Sequence, residues 1–144
     1  MELEEILQSL CGRLPEAIAA VLCDFEGELV VSATGDASLP REAEENLFEH
    51  VPRARRLTIP EPEYLLRLAA AEPCAILRMF HESGARVGLG ALREIEVRYA
   101  AVDMLVRQLS HAYYVVLFLR RPALMAVARR GLRAAGLALE PHLA

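Results

Sequence analysis

The sequence predicts an α+β domain built on a five-stranded antiparallel sheet. Five short β-prone runs are separated by turns, and helical patterns stand before, between and after them. Strands that follow one another through short turns pair antiparallel, because a parallel pair needs a long crossover connection. The 144 residues fit a single domain, residues 1–144, and the 54% hydrophobic content is enough for a core.

The first part of the chain predicts a helix followed by a β-hairpin. Glu2–Cys11 carries one apolar stripe at helical spacing, formed by Leu3, Ile6, Leu7 and Leu10. Ala17–Phe25 and Leu29–Ala33 are β-prone runs, and Glu26-Gly27 between them is a turn signal. Because nearly every residue of the first run is apolar, we expect a central strand with both faces covered.

The middle of the chain is interrupted by prolines. Residues 35–62 contain a loop and the acidic stretch Pro40–His50, for which a short helix is expected. A helical pattern returns over Glu63–Glu82, where Pro73 is expected to kink or split the helix. Ser83-Gly84 is predicted to end it.

The last part of the chain predicts three strands and a helix. Arg93–Tyr99 alternates, with Ile95, Val97 and Tyr99 on one face and charged residues on the other, as in a half-buried strand. Met104–Leu109 and Tyr113–Leu119 are the next two strands, the second continuously apolar and therefore central. The final helix is predicted to begin at Arg120-Arg121-Pro122, with Gly136 as its cap and with a stripe of Leu124, Ala128, Leu132 and Ala135.

Charge is unevenly distributed along the chain. Residues 1–72 carry 15 acidic residues and 6 arginines, a balance of −9, whereas residues 73–144 carry 5 and 10, a balance of +5. Both halves are interpreted as solvated surface, and the arginines are scattered rather than interleaved with aromatics, so nucleic-acid binding is not expected. No apolar run approaches the roughly 18 residues of a membrane span, and the acidic start is unlike a secretion signal. We therefore expect a cytoplasmic protein without membrane contact.

No residue pattern indicates catalysis, a cofactor or a bound metal. Cys11, Cys23 and Cys74 are too far apart for a zinc site, and buried free thiols are expected for at least two of them. The four histidines also lack metal-ligand spacing. The carboxylates of Asp24 and Glu26 are interpreted as part of a turn. The sequence therefore predicts a protein that is not an enzyme.

Three segments resemble bacterial roadblock (dynein-light-chain-type) domains. Leu22–Ser32, with its acidic residue and glycine at the turn, is similar to the first hairpin of that family. Gly88–Tyr99 resembles the entry into the family's third strand, and Val102–Leu119 resembles the hairpin that follows. Residues 35–62 depart from the family's pattern. We expect them to form an insertion or an extra short helix in the connection between the second and third strands.

The resemblance implies a sheet ordered 2-1-5-4-3, with the first and last helices on one face and the middle helical region on the other. It also implies a homodimer that pairs its third strands and packs its middle helices, and that binds a Ras-like small GTPase as regulator or scaffold. The candidate dimer-interface residues are then Ile95, Val97, Tyr99, Leu65, Leu68, Ile76 and Leu77. A module that only dimerises and tethers another complex is an alternative, and a small-molecule sensor is a third.

Overall fold

A computed structural model describes residues 1–39, 69–110 and 112–143. Its elements, in chain order, are α1 (Leu3–Arg13), β1 (Ala17–Asp24), β2 (Leu29–Thr34), α2 (Pro73–Arg86), β3 (Glu94–Arg98), β4 (Val102–Gln108), β5 (Tyr113–Arg120), α3 (Met125–Leu139) and a 3-10 turn (Glu140–His142). The predicted helix at Pro40–His50 lies outside the described residues, as does most of the segment 35–62.

The five described strands form one antiparallel sheet in the order β2-β1-β5-β4-β3, which confirms the predicted fold class and order. The two predicted central strands, β1 and β5, pair with each other, and their residues are buried along almost their whole length. Continuous apolar sequence is what a strand covered on both faces requires. The edge strands β2 and β3 are more exposed.

The helices lie on the two faces of the sheet as predicted. α1 and α3 cover one face, where Leu7 and Leu132 pack with Leu117 in one buried cluster. α2 covers the opposite face, where Leu77 packs with Val116 and Tyr114 in a second buried cluster. Each helix therefore buries one apolar stripe against the sheet between them.

The middle helix is split where the sequence places its proline. Residues 69–71 are helical, Glu72 is a turn residue, and α2 begins at Pro73. The predicted end at Ser83-Gly84 was wrong, because Gly84 is buried inside the helix. α2 instead ends at Arg86. Gly88 follows at φ 75°, and the Leu89 N–H donates to the Gly84 carbonyl at 2.8 Å. That glycine supplies the left-handed residue that terminates many helices.

The last helix begins later and ends later than predicted. β5 continues through Arg120, whose N–H donates to the Glu16 carbonyl at 2.8 Å, so α3 begins only at Met125. Leu124 precedes the helix and is exposed, and the buried stripe starts at Met125 instead. Gly136 is not a cap: a Cβ there would lie 3.2 Å from Leu109, so this glycine lets α3 approach β4 closely.

Candidate interaction surface

β3 is the outermost strand at one edge of the sheet. It pairs with β4 on one side, and no described strand lies along its other side. An unpaired strand edge presents a row of free N–H and C=O groups, which natural proteins cover or pair. This edge is therefore the first candidate for contact with another chain.

Two hydrogen bonds at the ends of the β3–β4 ladder show which backbone groups of β3 face away from β4. The Gln108 N–H donates to the Arg93 carbonyl at 2.9 Å, and the Tyr99 N–H donates to the Val102 carbonyl at 2.9 Å. In an antiparallel ladder the residues that bond to a given neighbour alternate along the strand. The odd-numbered residues of β3 therefore bond to β4, and the N–H and C=O groups of Glu94, Glu96 and Arg98 point outward.

The side chains of β3 alternate as the sequence predicts. Ile95 and Val97 are half-buried and pack against the buried cluster on the α2 side of the sheet. Tyr99, just beyond the strand, is 54% exposed. Glu94 and Glu96 point to the opposite side, where α3 lies.

Helix α3 holds the charged face of β3 through ion pairs. Glu94 accepts hydrogen bonds from Arg133 of α3 at 3.0 Å and from Arg107 of β4 at 2.8 Å. Glu96 accepts one from Arg129 of α3 at 2.9 Å. The hydrogen bond from Arg133, with further help from Arg107, holds the pKa of Glu94 below its ordinary value. Glu94 therefore remains ionised at neutral pH, when both pairs are intact.

A buried carboxylate lies beside the end of β3. Asp103 is only 1% exposed, and the Nε atoms of Arg121 and Arg98 lie 3.7 and 3.9 Å from its Oδ1. Arg121 also donates to the Tyr99 carbonyl at 3.0 Å. These contacts tie the β3–β4 turn to the loop that leads into α3, whereas the ion pairs of Glu94 hold the other end of β3.

Helix α2 has one flank in contact with the first hairpin. Arg78 donates a hydrogen bond to the Phe25 carbonyl, and Cys74 lies against Gly27 in the turn between β1 and β2. The row that faces the sheet includes Leu77, whose side chain is fully buried. These contacts fix the rotation of the helix about its axis.

The other flank of α2 is apolar and exposed. With about 100° of rotation per residue, this flank faces away from the turn between β1 and β2. Its side chains are Ile76, Met79 and Phe80, which are 48%, 64% and 56% exposed. Val87 and Leu89, just after the helix, are also exposed. Large apolar side chains grouped in this way on the surface mark a site of protein contact.

The predicted interface residues fall into three groups. Ile95, Val97, Tyr99 and Ile76 are accessible on β3 and α2. Leu77 is a core residue: its side chain faces the sheet and offers a partner no surface. Leu65 and Leu68 lie outside the described residues. Sequence reasoning did not include Met79, although its spacing of three residues from Ile76 was a usable signal.

The thiols of β1 and α1 are placed for packing rather than for reaction. Cys11 and Cys23 are buried and free, as predicted, and burial raises the pKa of each thiol to about 11. A thiol with such a pKa is almost wholly protonated at neutral pH, and only the thiolate is a good nucleophile. Tyr114, opposite Cys23, donates its hydroxyl hydrogen bond to the Ala70 carbonyl at 2.9 Å.

Within the described ranges, one group of acidic side chains has spacing suited to a cation, namely Asp24, Glu26 and Glu28. Oδ1 of Asp24 accepts the backbone N–H groups of Glu26 and Glu28 at 2.9 and 3.0 Å. Such bonds form the turn itself, as the sequence predicts for these residues. Among the described helices, none has the length and apolar character needed to cross a membrane.

The structure is similar to solved structures of small bacterial proteins. The Roadblock/LC7 domain from Streptomyces avermitilis superposes with a TM-score of 0.70 and 17% identity, over 99% of this chain and 98% of that one. MglC from Myxococcus xanthus superposes with a TM-score of 0.64 and 20% identity, over 99% of this chain and 100% of that one. The gliding protein MglB from Thermus thermophilus gives 0.68 and 16%, over 96% and 86%.

The chain has the roadblock/LC7 fold. Comparison of the sequence with protein-family models and with curated proteins gives no significant match. The likeness therefore lies in the backbone and the strand order. In this roadblock fold, the apolar side chains of β3 and the helix α2 lie on the same side of the sheet, since Ile95 and Val97 pack against the cluster that contains Leu77.

Proposed function

We propose that this roadblock-fold chain is a non-enzymatic homodimer that acts in the cytoplasm as a regulator or scaffold for a Ras-like small GTPase. The observation that carries the dimer is the β3 edge, along which no described strand pairs, together with the exposed apolar flank of α2 on the side of the sheet that Ile95 and Val97 face. The GTPase partner rests on the resemblance to bacterial roadblock domains. The two parts of the proposal therefore have separate tests.

The dimer would remove two unfavourable features of the monomer together. Pairing β3 with β3 of a second copy gives hydrogen-bond partners to the outward groups of Glu94, Glu96 and Arg98. The same two-fold arrangement brings two α2 helices together, which covers Ile76 and its neighbours Met79 and Phe80. Leu65 and Leu68 remain predicted members of this interface.

Analytical ultracentrifugation of the whole chain tests the dimer. We expect a concentration-dependent species of twice the 15.9 kDa chain mass. A monomer across the micromolar range would contradict the dimer. Such a result would leave the fold untouched, because the fold rests on the strand order.

Binding of the GTPase is tested by pull-down and calorimetry with the Ras-like small GTPase encoded nearest to this gene. The GTPase is loaded with GDP in one experiment and with a non-hydrolysable GTP analogue in the other. We expect binding that differs between the two states, because a regulator of a switch distinguishes its two conformations. No binding in either state would end the GTPase proposal while leaving the dimer intact.

Rates of GTP hydrolysis and nucleotide exchange then separate a regulator from a scaffold. A changed rate on complex formation identifies a regulator of that step. A stable complex with both rates unchanged identifies a scaffold, and a dimer without GTPase binding leaves the pure tethering module as the function.

A further inference from the structure

We propose that the groove between α1 and α3 docks one helix of a partner protein, a helix that has an apolar stripe flanked by acidic residues. These two helices cover the face of the sheet opposite to α2, so the proposal goes beyond the proposed dimer and does not rest on it. It is carried by a second apolar row on α3, a cavity beside that row, and two arginines at the rim of the groove.

Helix α3 has two apolar rows, each with the spacing of three and four residues that is typical of packed helices. One row is buried against the sheet and consists of Met125, Ala128, Leu132, Ala135 and Leu139. The other row begins one residue earlier and consists of Leu124, Val127, Gly131, Ala134 and Ala138. Leu124 and Val127 are 70% and 44% exposed. A surface helix needs one such row for its own core, so the second is open to a further contact.

Helix α1 forms the other wall of the groove. A Cβ at Gly131 would lie 3.3 Å from Cδ1 of Leu10, so the two helices touch at this point. Beside the contact is a cavity of about 120 Å³, whose lining includes Ile6, Ala134 and Ala138. A cavity of roughly 150 Å³ accepts a benzene molecule, so this one has room for an aliphatic side chain. The groove therefore has two helical walls and a socket between them.

The groove fits a helix better than an extended segment. From residue 124 to residue 138 the second row is about 21 Å long, which is roughly four helical turns. Both walls satisfy their backbone hydrogen bonds internally and offer only side chains, as a docked helix also does. The small side chains of Ala134 and Ala138 allow the axis of a third helix to come close.

Two arginines at the rim set the charge of the partner. Arg13 of α1 lines the cavity, Arg130 of α3 lies one turn before Ala134, and both are exposed. Neither forms an ion pair with a carboxylate in the described part of the chain. Glu5 of α1 accepts the backbone N–H of Glu2 at 2.9 Å and so caps its own helix. Carboxylates on the docked helix would give both arginines partners.

A second copy of the chain is a poor occupant of this groove. Its own second row lies on α3, which carries Arg129, Arg130 and Arg133 and has no acidic residue between Met125 and Leu139. Docking that helix would bring arginines of one copy close to arginines of the other, and juxtaposed like charges disfavour association. The occupant is therefore a helix of a different, acidic protein.

Two designed peptides test the groove by fluorescence anisotropy with the whole chain. Both are helices of three heptads with leucine at the a and d positions; one has glutamate at e and g, the other lysine. Like charges at e and g keep each peptide from pairing with itself. We expect the glutamate peptide to bind at least roughly tenfold more tightly. The chain has a net charge of −4, so attraction to its overall charge would favour the lysine peptide instead.

Matched substitutions locate the binding. Ala134→Gln fills the groove and should weaken binding of the glutamate peptide at least roughly tenfold, whereas Ala126→Gln changes an exposed alanine outside the row and should have no effect. Arg13→Glu should remove the preference for the glutamate peptide. Arg86→Glu makes the same change in net charge on α2 and should keep that preference. All four side chains are exposed, so circular dichroism should match that of the wild type.

Each alternative has its own result. Binding by neither peptide at millimolar concentration would overturn the proposal, as would tighter binding of the lysine peptide. Equal weakening by Ala134→Gln and Ala126→Gln would place the peptide elsewhere and overturn it too. An oligomer of the chain alone that Ala134→Gln abolishes would make a second copy the occupant instead. The proposed dimer is tested separately, because Ala134→Gln changes neither β3 nor α2.

Discussion

Nε of Arg133 lies 3.0 Å from Oε1 of Glu94, the same oxygen that Arg107 Nη1 contacts at 2.8 Å. One carboxylate thus joins the last helix, the fourth strand and the edge strand. The other face of β3 is held by apolar contacts of Ile95 and Val97 with the α2 side of the sheet. The edge strand is therefore anchored on both faces while its outer backbone groups stay open, and each anchor can be tested separately.

The first prediction concerns the pH dependence of the Glu94 pairs. Because the folded state lowers the pKa of Glu94 from its ordinary 4.5, the pairs stabilise the fold above that pH. This contribution is lost as pH falls through the lowered value. Arg133 is exposed, so screening limits the effect, and Glu94→Gln should cost about 1 kcal/mol at pH 7.

Urea unfolding of the wild type and of Glu94→Gln at pH 7 and near pH 3 measures this contribution. The difference between the two proteins should shrink at the lower pH. Glu82→Gln is the control, since Glu82 is exposed and pairs with no described cation. A difference that persists unchanged at acid pH would show that the amide perturbs something other than these ion pairs.

The second prediction separates the core side of α2 from its exposed flank. Leu77→Ala leaves a cavity beneath the helix and should lower the free energy of unfolding by about 2–5 kcal/mol. Ile76→Ala, one residue away on the exposed flank, should change it by less than about 0.5 kcal/mol in the monomer. The same Ile76→Ala change should weaken the dimer, which dilution in the ultracentrifuge would detect. Equal destabilisation by both changes would place Ile76 in the core.

The central positions of β1 and β5 were more predictable than the helix ends, for a physical reason. β1 and β5 are continuously apolar, so their central positions follow from the sequence, whereas the order of the sheet came from the family resemblance. The predicted helix ends at Gly84 and Gly136 were wrong. Both lie inside helices: Gly84 is buried within α2, and Gly136 is at a close contact, since a Cβ there would lie 3.2 Å from Leu109. Only the packed structure shows these surroundings, so neither glycine is the helix end that the local sequence suggests.

The candidate interface was only partly predictable. Alternation identified Ile95 and Val97, because a half-buried strand has a period of two. Periodicity also showed that α2 is amphipathic, but it could not say which apolar row meets the sheet and which stays exposed. The contact of Arg78 with the Phe25 carbonyl settles this, since it fixes the rotation of the helix and leaves Leu77 inside.

The third prediction uses two glycines with opposite surroundings. A Cβ at Gly35 would overlap the backbone carbonyl of Ala17, and that backbone belongs to β1 and cannot move cheaply. Gly35→Ala should therefore cost about 2–3 kcal/mol, as overpacking does. Gly12→Ala is the matched control: nothing lies within 4 Å of its Cβ, and alanine in helix α1 should stabilise by about 0.5–1 kcal/mol. Thermal unfolding of the two variants should shift in opposite directions.

The fourth prediction compares the two edges of the sheet. Val97→Glu places a charge in the apolar strip of β3, and in the proposed dimer two such charges would lie near the two-fold axis without partners. We expect loss of the dimer in the ultracentrifuge, while circular dichroism of the monomer stays close to that of the wild type. Val30→Glu makes the same change on β2, the opposite edge, where Val30 is 44% exposed. It should leave the dimer intact, so a dimer lost with Val30→Glu and kept with Val97→Glu would move the interface from β3 to β2.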